Sequence, residues 1–303
     1  MKFTMLPTVW DDTVADIESA GHTHVALDES PDLIVFNGGA DDFPDALPDS
    51  VKVVQCAFAG IDALDQAGIL RKNKVRWVNA AGVYDDTVAE STIALLLAVL
   101  HQHKYAKDWS ARPSIAENQQ FLFENKTVAV IGAGGIGERL IKLLNVFGCT
   151  TIAVTRSGRE VSGATVSMST SRIDEAWETA DYFVLLTPLT DDTRGMVNRD
   201  VLQKMKPNAV VINVGRGPLI VTDDLVEALH KGTIFGAGLD VTDPEPLPND
   251  HPLWSLDNCV ITPHTANTEK YIRDRVGALT RYNWEAFSVS QLMPTEVNVE
   301  HGY

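Results

Sequence analysis

The chain has 303 residues, 45% of them hydrophobic and 22% charged, which is more than one hydrophobic core ordinarily supports and points to two globular domains. Its 41 acidic against 25 basic residues leave a formal net charge of −16, a surface that repels nucleic acid and anionic lipid, so neither is expected as a partner. The start MKFTMLPTVWDD lacks the apolar centre of a signal peptide, and the longest strongly apolar stretch, Ile93 to Leu100, falls short of the roughly 20 residues that span a bilayer.

Cys56, Cys149 and Cys259 form no CxxC pair and leave an odd count, which reads as reduced thiols in a cytoplasmic protein. Aspartate pairs at Asp11-Asp12, Asp41-Asp42, Asp85-Asp86, Asp191-Asp192 and Asp223-Asp224 suggest a surface adapted to high salt, where counterions screen self-repulsion. An ordinary acidic surface, charged for solubility alone, is the equal alternative.

Along the first eighty residues the runs DLIVF, VKVVQCA and VRWVNA, separated by helix-compatible segments and turn-rich NGGADDFPDALPDS, predict a smaller, flavodoxin-like α/β domain. TVAESTIALLLAVLHQHKYA follows, with Thr87 and Glu90 at capping-box spacing before an apolar helix that opens the larger domain. From Lys126 onward TVAVI, TTIAVT, YFVLL, AVVINV, IFGAGLDV and CVITP alternate with helical patterns such as ERLIKLLNVF. That rhythm predicts a Rossmann-type doubly wound parallel sheet. The tail after His264 is too short for a domain and is expected to return to the first unit. The expected division is 1–84 with 267–303 for the substrate domain, and 85–266 for the dinucleotide domain.

TVAVI runs into Gly132-Ala133-Gly134-Gly135-Ile136-Gly137 and then a helical pattern from Glu138. In that strand–loop–helix setting Gly132 permits the tight turn, Gly134 lets backbone approach a pyrophosphate and Gly137 allows helix–sheet packing, with free amides at the helix start. Outside a βαβ unit the same residues would be a plain glycine-rich turn. The next strand ends in VTRSGR, where NAD-binding folds place an acid for the ribose 2′-OH. Arg156, Ser157 and Arg159 stand there instead and suit a 2′-phosphate, so NADP is the expected cofactor and NAD the weaker alternative. Solvated surface arginines are the bland reading.

NVGRG, LDVTDPEPLP and ITPH sit where strands should end, and they supply Arg216, Glu245 and His264. A guanidinium can bind a carboxylate and polarise a ketone, a histidine can protonate the forming alkoxide, and a carboxylate can hold the imidazolium. Taken singly, each reads as an ordinary surface or structural residue. Together GAGGIG, LLTPLTDDT, NVGRGPLI, GAGLDVTDPEPLP and ITPH stand in the order seen in the D-isomer-specific 2-hydroxyacid dehydrogenases, and the chain resembles that family over about residues 50 to 275.

The resemblance implies an NAD(P)-dependent oxidoreductase reducing small 2-oxo acids to D-2-hydroxy acids, in a cleft between the two domains. It implies that His264 is the acid in reduction and the base in oxidation, held by Glu245, and that Arg216 and the Ala59-Gly60 backbone bind the substrate carboxylate. It also places Asp240 near the nicotinamide carboxamide and Thr187 and Pro188 beside the cofactor, with Thr193 and Val214 of the same motifs counted among the cofactor contacts. A homodimer through the helix after Thr87 is implied as well. Phe58 and Trp109 are the pocket-wall candidates, too few to choose the substrate. A glyoxylate or hydroxypyruvate reductase is the alternative enzyme, and a dinucleotide-sensing interaction protein the alternative of another class. A metal is not expected, since in His22-Thr23-His24 and His101-Gln102-His103 residues two apart on a helix do not share a face and no ligand cluster completes either pair. His101 and His103 are read as complementing a helix end.

Overall fold

The computed structural model describes residues 1–123 and 125–300. The chain divides into two compact units, Met1–Tyr84 with the segment from Thr268 onward, and Asp85–Asn267. In the first unit the chain runs β1 (Lys2–Leu6), α1 (Asp11–Ser19), β2 (Thr23–His24), β3 (Leu33–Phe36), β4 (Val53–Cys56), α2 (Asp62–Gln66), α3 (Ile69–Lys72) and β5 (Arg76–Val78). Its strands pair in parallel in the order β2-β1-β3-β4-β5, which is the flavodoxin-like order. β3 and β4 are buried at every position, so LIVF and VVQC read as continuous runs rather than as alternation, as expected when both sheet faces are covered.

The second unit begins with α4 (Asp85–Leu100) and α5 (Arg112–Asn118), then β6 (Thr127–Ile131), α6 (Gly135–Val146), β7 (Thr150–Thr155), β8 (Val166–Ser169) and α7 (Ile173–Thr179). It continues through β9 (Tyr182–Leu185), α8 (Arg199–Lys204), β10 (Val210–Asn213), α9 (Thr222–Lys231), β11 (Gly236–Leu239) and β12 (Cys259–Ile261). The parallel order is β12-β11-β10-β9-β6-β7-β8. The winding reverses between β6 and β9, so the ends of those strands form the switch point where a doubly wound sheet takes its ligand. Alternate residues of one strand serve two cores. Ala129 and Ile131 of β6 join the core holding Trp177, Leu202 and Leu225, while Val128 and Val130 join the one holding Leu96, Leu140 and Leu144.

The capping box at Thr87 is not what starts α4. The helix begins at Asp85, with Asp85 and Asp86 in its first turn and Thr87 already inside, because acidic side chains at a helix N-terminus complement its dipole and displace the threonine from the cap. After Asn267 the chain returns to the first unit as α10 (Glu269–Ser288), which packs along α1. The three cysteines are buried and unbridged, and burial pushes the Cys56 thiol up to about 12 and that of Cys149 to about 11. Among the described residues no helix is long and apolar enough to cross a membrane.

Candidate active site

The glycine loop, Arg156, Thr187, Val214, Arg216, Asp240 and His264 each follow within a few residues of the carboxyl end of a strand. Gly132, directly after β6, has φ +91°, and a Cβ there would sit 2.6 Å from the Thr187 amide nitrogen beyond β9. Glycine alone meets both demands together. Gly134 is the N-cap of α6, with open space where its side chain would be. Gly135 and Ile136 form the first helical positions, and a Cβ on Gly137 would already touch Val130 and Ala133 at 3.2 and 3.3 Å. An uncovered loop leading into the amide-bearing start of a helix fits a pyrophosphate. Asp85 approaches from α4, its carboxylate 2.5 Å from the position a Gly135 Cβ would take. Burial, then the charges of Asp86 and Glu138, push its carboxyl above the usual range.

Arg156 and Ser157 are exposed in the turn after β7. Arg159 is drawn onto the glycine loop, its Nη2 donating to the Ala133 carbonyl at 3.0 Å and pairing with Glu138 at 2.9 Å. On the other side of the switch point Thr187 is buried, Pro188 exposed, and the Thr193 hydroxyl donates to the Pro188 carbonyl at 2.7 Å. Thr193 therefore shapes this loop. Val214, half-buried after β10, donates its amide to Leu185 at 3.3 Å.

Arg216 follows β10 and is half-buried, with Nη1 donating to the Gly215 carbonyl at 2.7 Å. Asn213 frames its turn. Its side-chain amide donates to the Arg216 carbonyl at 2.8 Å and its oxygen accepts from Gly215 N at 3.1 Å. Gly217 then admits the backbone of Thr242 and Asp243, which passes so closely that a Cβ would lie 1.9 Å from the Thr242 carbonyl oxygen. That crossing sets the arginine turn against the segment leading to Glu245.

Glu245 Oε1 lies 2.6 Å from His264 Nδ1, with both side chains about half exposed, at 42% and 53%. His264 adopts the left-handed conformation, φ +53°, which costs a non-glycine residue free energy and persists only when its surroundings impose it. Asp240, nearly fully buried after β11, imposes it. Its carbonyl accepts the His264 amide at 2.8 Å, and its carboxylate accepts the Thr262 hydroxyl at 2.6 Å and the amides of Thr265 and Ala266 at 2.8 and 3.0 Å. The resemblance places Asp240 near the nicotinamide carboxamide; in the structure its carboxylate accepts the hydrogen bonds of the histidine loop. Ser91 of α4 ties down the same loop by donating to the Ala266 carbonyl at 3.0 Å.

Asn213, Gly217 and Thr262 belong to this frame and escaped the sequence reading. Only Asn213 and Gly217, inside the NVGRG motif, carried a local signal. In the first unit, Ala59 and Gly60 follow β4, and the Ala59 carbonyl accepts from Asn79 at 3.0 Å. Phe58 of that loop stands edge-on to Trp10, ring centroids 6.5 Å apart. Trp109, in the second unit, is 85% exposed. His101 and His103 directly follow α4 with ring centroids 5.8 Å apart. No group of three potential metal ligands occurs among the described residues.

The sheet order and the glycine loop define a dinucleotide-binding dehydrogenase domain. The family model for the D-isomer specific 2-hydroxyacid dehydrogenase NAD binding domain matches residues 93–266. A glyoxylate reductase/hydroxypyruvate reductase of Homo sapiens is 34% identical over 264 residues, covering 84% of this chain and 79% of its own. An uncharacterised protein of Corynebacterium melassecola is 55% identical over 306 residues, covering all of both chains. Among solved structures, an NADPH-dependent glyoxylate/hydroxypyruvate reductase of Sinorhizobium meliloti, in complex with citrate, superposes with a TM-score of 0.76 at 26% identity, covering 98% of each chain. The chain belongs to the D-isomer specific 2-hydroxyacid dehydrogenase family and is an NAD(P)-dependent oxidoreductase.

Proposed function

We propose that this enzyme reduces small 2-oxo acids to D-2-hydroxy acids and prefers NADPH to NADH. The His264–Glu245 pair carries the reading. A reduced nicotinamide, when bound, supplies the hydride that reaches C2 of the ketone. With His264 Nδ1 facing Glu245 at 2.6 Å, Nε2 is the ring atom left to deliver a proton to the forming alkoxide, and Glu245 stabilises the imidazolium before that transfer. Arg216 binds the carboxylate and polarises the carbonyl as negative charge develops on its oxygen. In the reverse direction Nε2 takes the hydroxyl proton. The Ala59-Gly60 contact with substrate and the homodimer through α4 rest on the family likeness.

The cofactor preference is supported by VTRSGR, which holds Arg156 and no acid at the end of β7. Charge-assisted hydrogen bonds to a phosphate of about −1.5 to −2 charge are worth about 1.5 to 3 kcal/mol, roughly tenfold to more than a hundredfold in KM ratio. The human and Sinorhizobium relatives, both glyoxylate/hydroxypyruvate reductases, favour glyoxylate or hydroxypyruvate as the particular substrate. Cofactor oxidation with a series of 2-oxo acids, from glyoxylate and hydroxypyruvate to larger ones, tests the whole reading. Turnover is expected with the small members and NADPH, and His264→Ala and Arg216→Ala should each lower kcat/KM by at least about a hundredfold with dinucleotide binding retained. Near-normal turnover of either variant would remove that residue from the mechanism.

A further inference from the structure

We propose that Ser169 and Ser171, at the end of β8, form the second wall of the 2′-phosphate site and help set the preference for NADPH. The inference rests on the cofactor reading above and adds residues that the strand-end motif itself does not contain. β7 and β8 pair in parallel with Thr155 opposite Ser169, so the two strands end side by side. The turn after β7 closes by the Gly158 amide donating to the Thr155 hydroxyl at 3.0 Å, with Arg156 and Ser157 at its exposed centre. It lies directly on β8, for a Cβ at Gly158 would stand 3.0 Å from Ser169 N and 3.1 Å from Ser169 Cβ. The chain then turns over Thr170–Arg172, and the Ser169 and Ser171 hydroxyls come within 2.5 Å of each other.

Two guanidiniums at this corner are held by carboxylates. Arg159 is paired with Glu138 and the Ala133 carbonyl, and Arg172 is bound through Nε and Nη2 to both oxygens of Glu175 at 2.7 and 2.6 Å. Each of these guanidiniums has a carboxylate of its own and serves to hold the corner in shape. Arg156, at the exposed centre of the turn after β7, supplies the positive charge in the cofactor reading above. A phosphate monoester also offers several acceptor oxygens, and a single guanidinium does not satisfy them all. Two hydroxyls sharing one hydrogen bond use one proton between them, which leaves the other O–H to donate outward to an anion. The Ser157 hydroxyl in the facing turn adds a third donor. A free ribose 2′-OH has no comparable need for a row of donors, so the serines discriminate between the cofactors and do not merely bind them.

The test compares wild type, Ser169→Ala/Ser171→Ala and the hydroxyl-retaining Ser169→Thr/Ser171→Thr, with thermal melts to confirm folding. KM and kcat are measured for NADPH and NADH, and Kd by calorimetry for adenosine 2′,5′-bisphosphate and for AMP, which needs no turnover. In the double alanine variant KM for NADPH should rise about five- to thirtyfold with kcat unchanged, the bisphosphate Kd should rise in parallel, and NADH and AMP should stay within about twofold. The threonine variant should recover most of the loss. An unchanged NADPH KM, or equal losses for both cofactors, would overturn the serine wall while a wild-type preference for NADPH left the cofactor reading standing. A wild type indifferent to the 2′-phosphate would overturn both.

Discussion

Each unit encloses a buried polar cluster built on a side chain near a strand end, Gln55 in the first and Asp240 in the second, and the two do different work with the same chemistry. In the first unit Gln55 of β4 donates to the carbonyls of Cys56 and Asn79 at 2.9 and 3.0 Å, and Asn283 of α10 donates to Gln55 and Thr295 at 2.8 and 2.9 Å. Thr295 closes the ring by donating to the Asn79 carbonyl at 2.7 Å. That cluster joins the returning C-terminal segment to the N-terminal sheet, where Glu296 also bridges to Val78 and pairs with Arg76. In the second unit Asp240 collects its donors from Thr262, Thr265 and Ala266 and, by doing so, fixes the exposed His264 between them. Satisfied buried polar groups rigidify whatever they bridge. In one unit that is the closure of the fold, in the other the aim of a titratable ring.

The sharpest way to break this comparison is Asp240→Asn. The new amide must point N–H at one of the backbone amides of Thr265 or Ala266, donor against donor, and the loop loses its hold on the left-handed His264. We expect kcat/KM for 2-oxo acid reduction to fall about a hundredfold, some 2.7 kcal/mol of transition-state stabilisation. Thermal stability should fall far less. A variant that melts early yet turns over normally would make Asp240 a fold-closing residue like those of the first unit.

The complementary change is Asn283→Leu, which leaves the Gln55 oxygen buried and unsatisfied at the cost of about 2 kcal/mol. Here stability should drop, read from denaturant midpoints, while kcat/KM per folded molecule stays within about twofold. Loss of turnover without loss of stability would mean that the first cluster also serves the reaction.

What could be read from the sequence follows the range of the physical cause. Gly132 is legible because a left-handed backbone and a close approach both demand glycine at one position, and the strand runs are legible because both faces of each sheet are covered. Arg216, Glu245 and His264 are ordinary residues one at a time, and only the order of their motifs singled them out. Asn283 and Gln55 are 228 residues apart, so no window along the chain could join them. Thr262 is a common residue type whose partner, Asp240, lies just past the end of another strand. The Thr87 cap failed for a local reason, since the neighbouring aspartates decided where α4 starts. Arg159 was legible as a cation but not as the partner of Glu138, which comes from the next helix over.

The smallest expected effect concerns the acidic surface, where the two readings of the aspartate pairs now differ in cause. Asp11-Asp12, Asp41-Asp42, Asp85-Asp86 and Asp223-Asp224 all stand in the first turn of a helix, where negative charge is stabilising by about 0.3 to 1 kcal/mol at low ionic strength. Asp42 accepts the Gly39 amide at 2.8 Å and Asp224 the Arg199 amide at 2.9 Å. Only Asp191-Asp192 lies in a turn outside any helix. Salt therefore acts in two directions. It screens the self-repulsion of a net charge of −16, which stabilises, and it screens the helix-start attractions, which destabilises. The two nearly offset, and between about 0.1 M and 1 M potassium chloride the melting temperature should rise only about 2 to 4 °C, on the order of 1 kcal/mol for domains of this size. A rise several times larger would show that repulsion dominates and that the surface is built for high salt. A flat or falling curve would leave the paired aspartates as helix-starting residues, as local in their purpose as Gly132 is in the glycine loop.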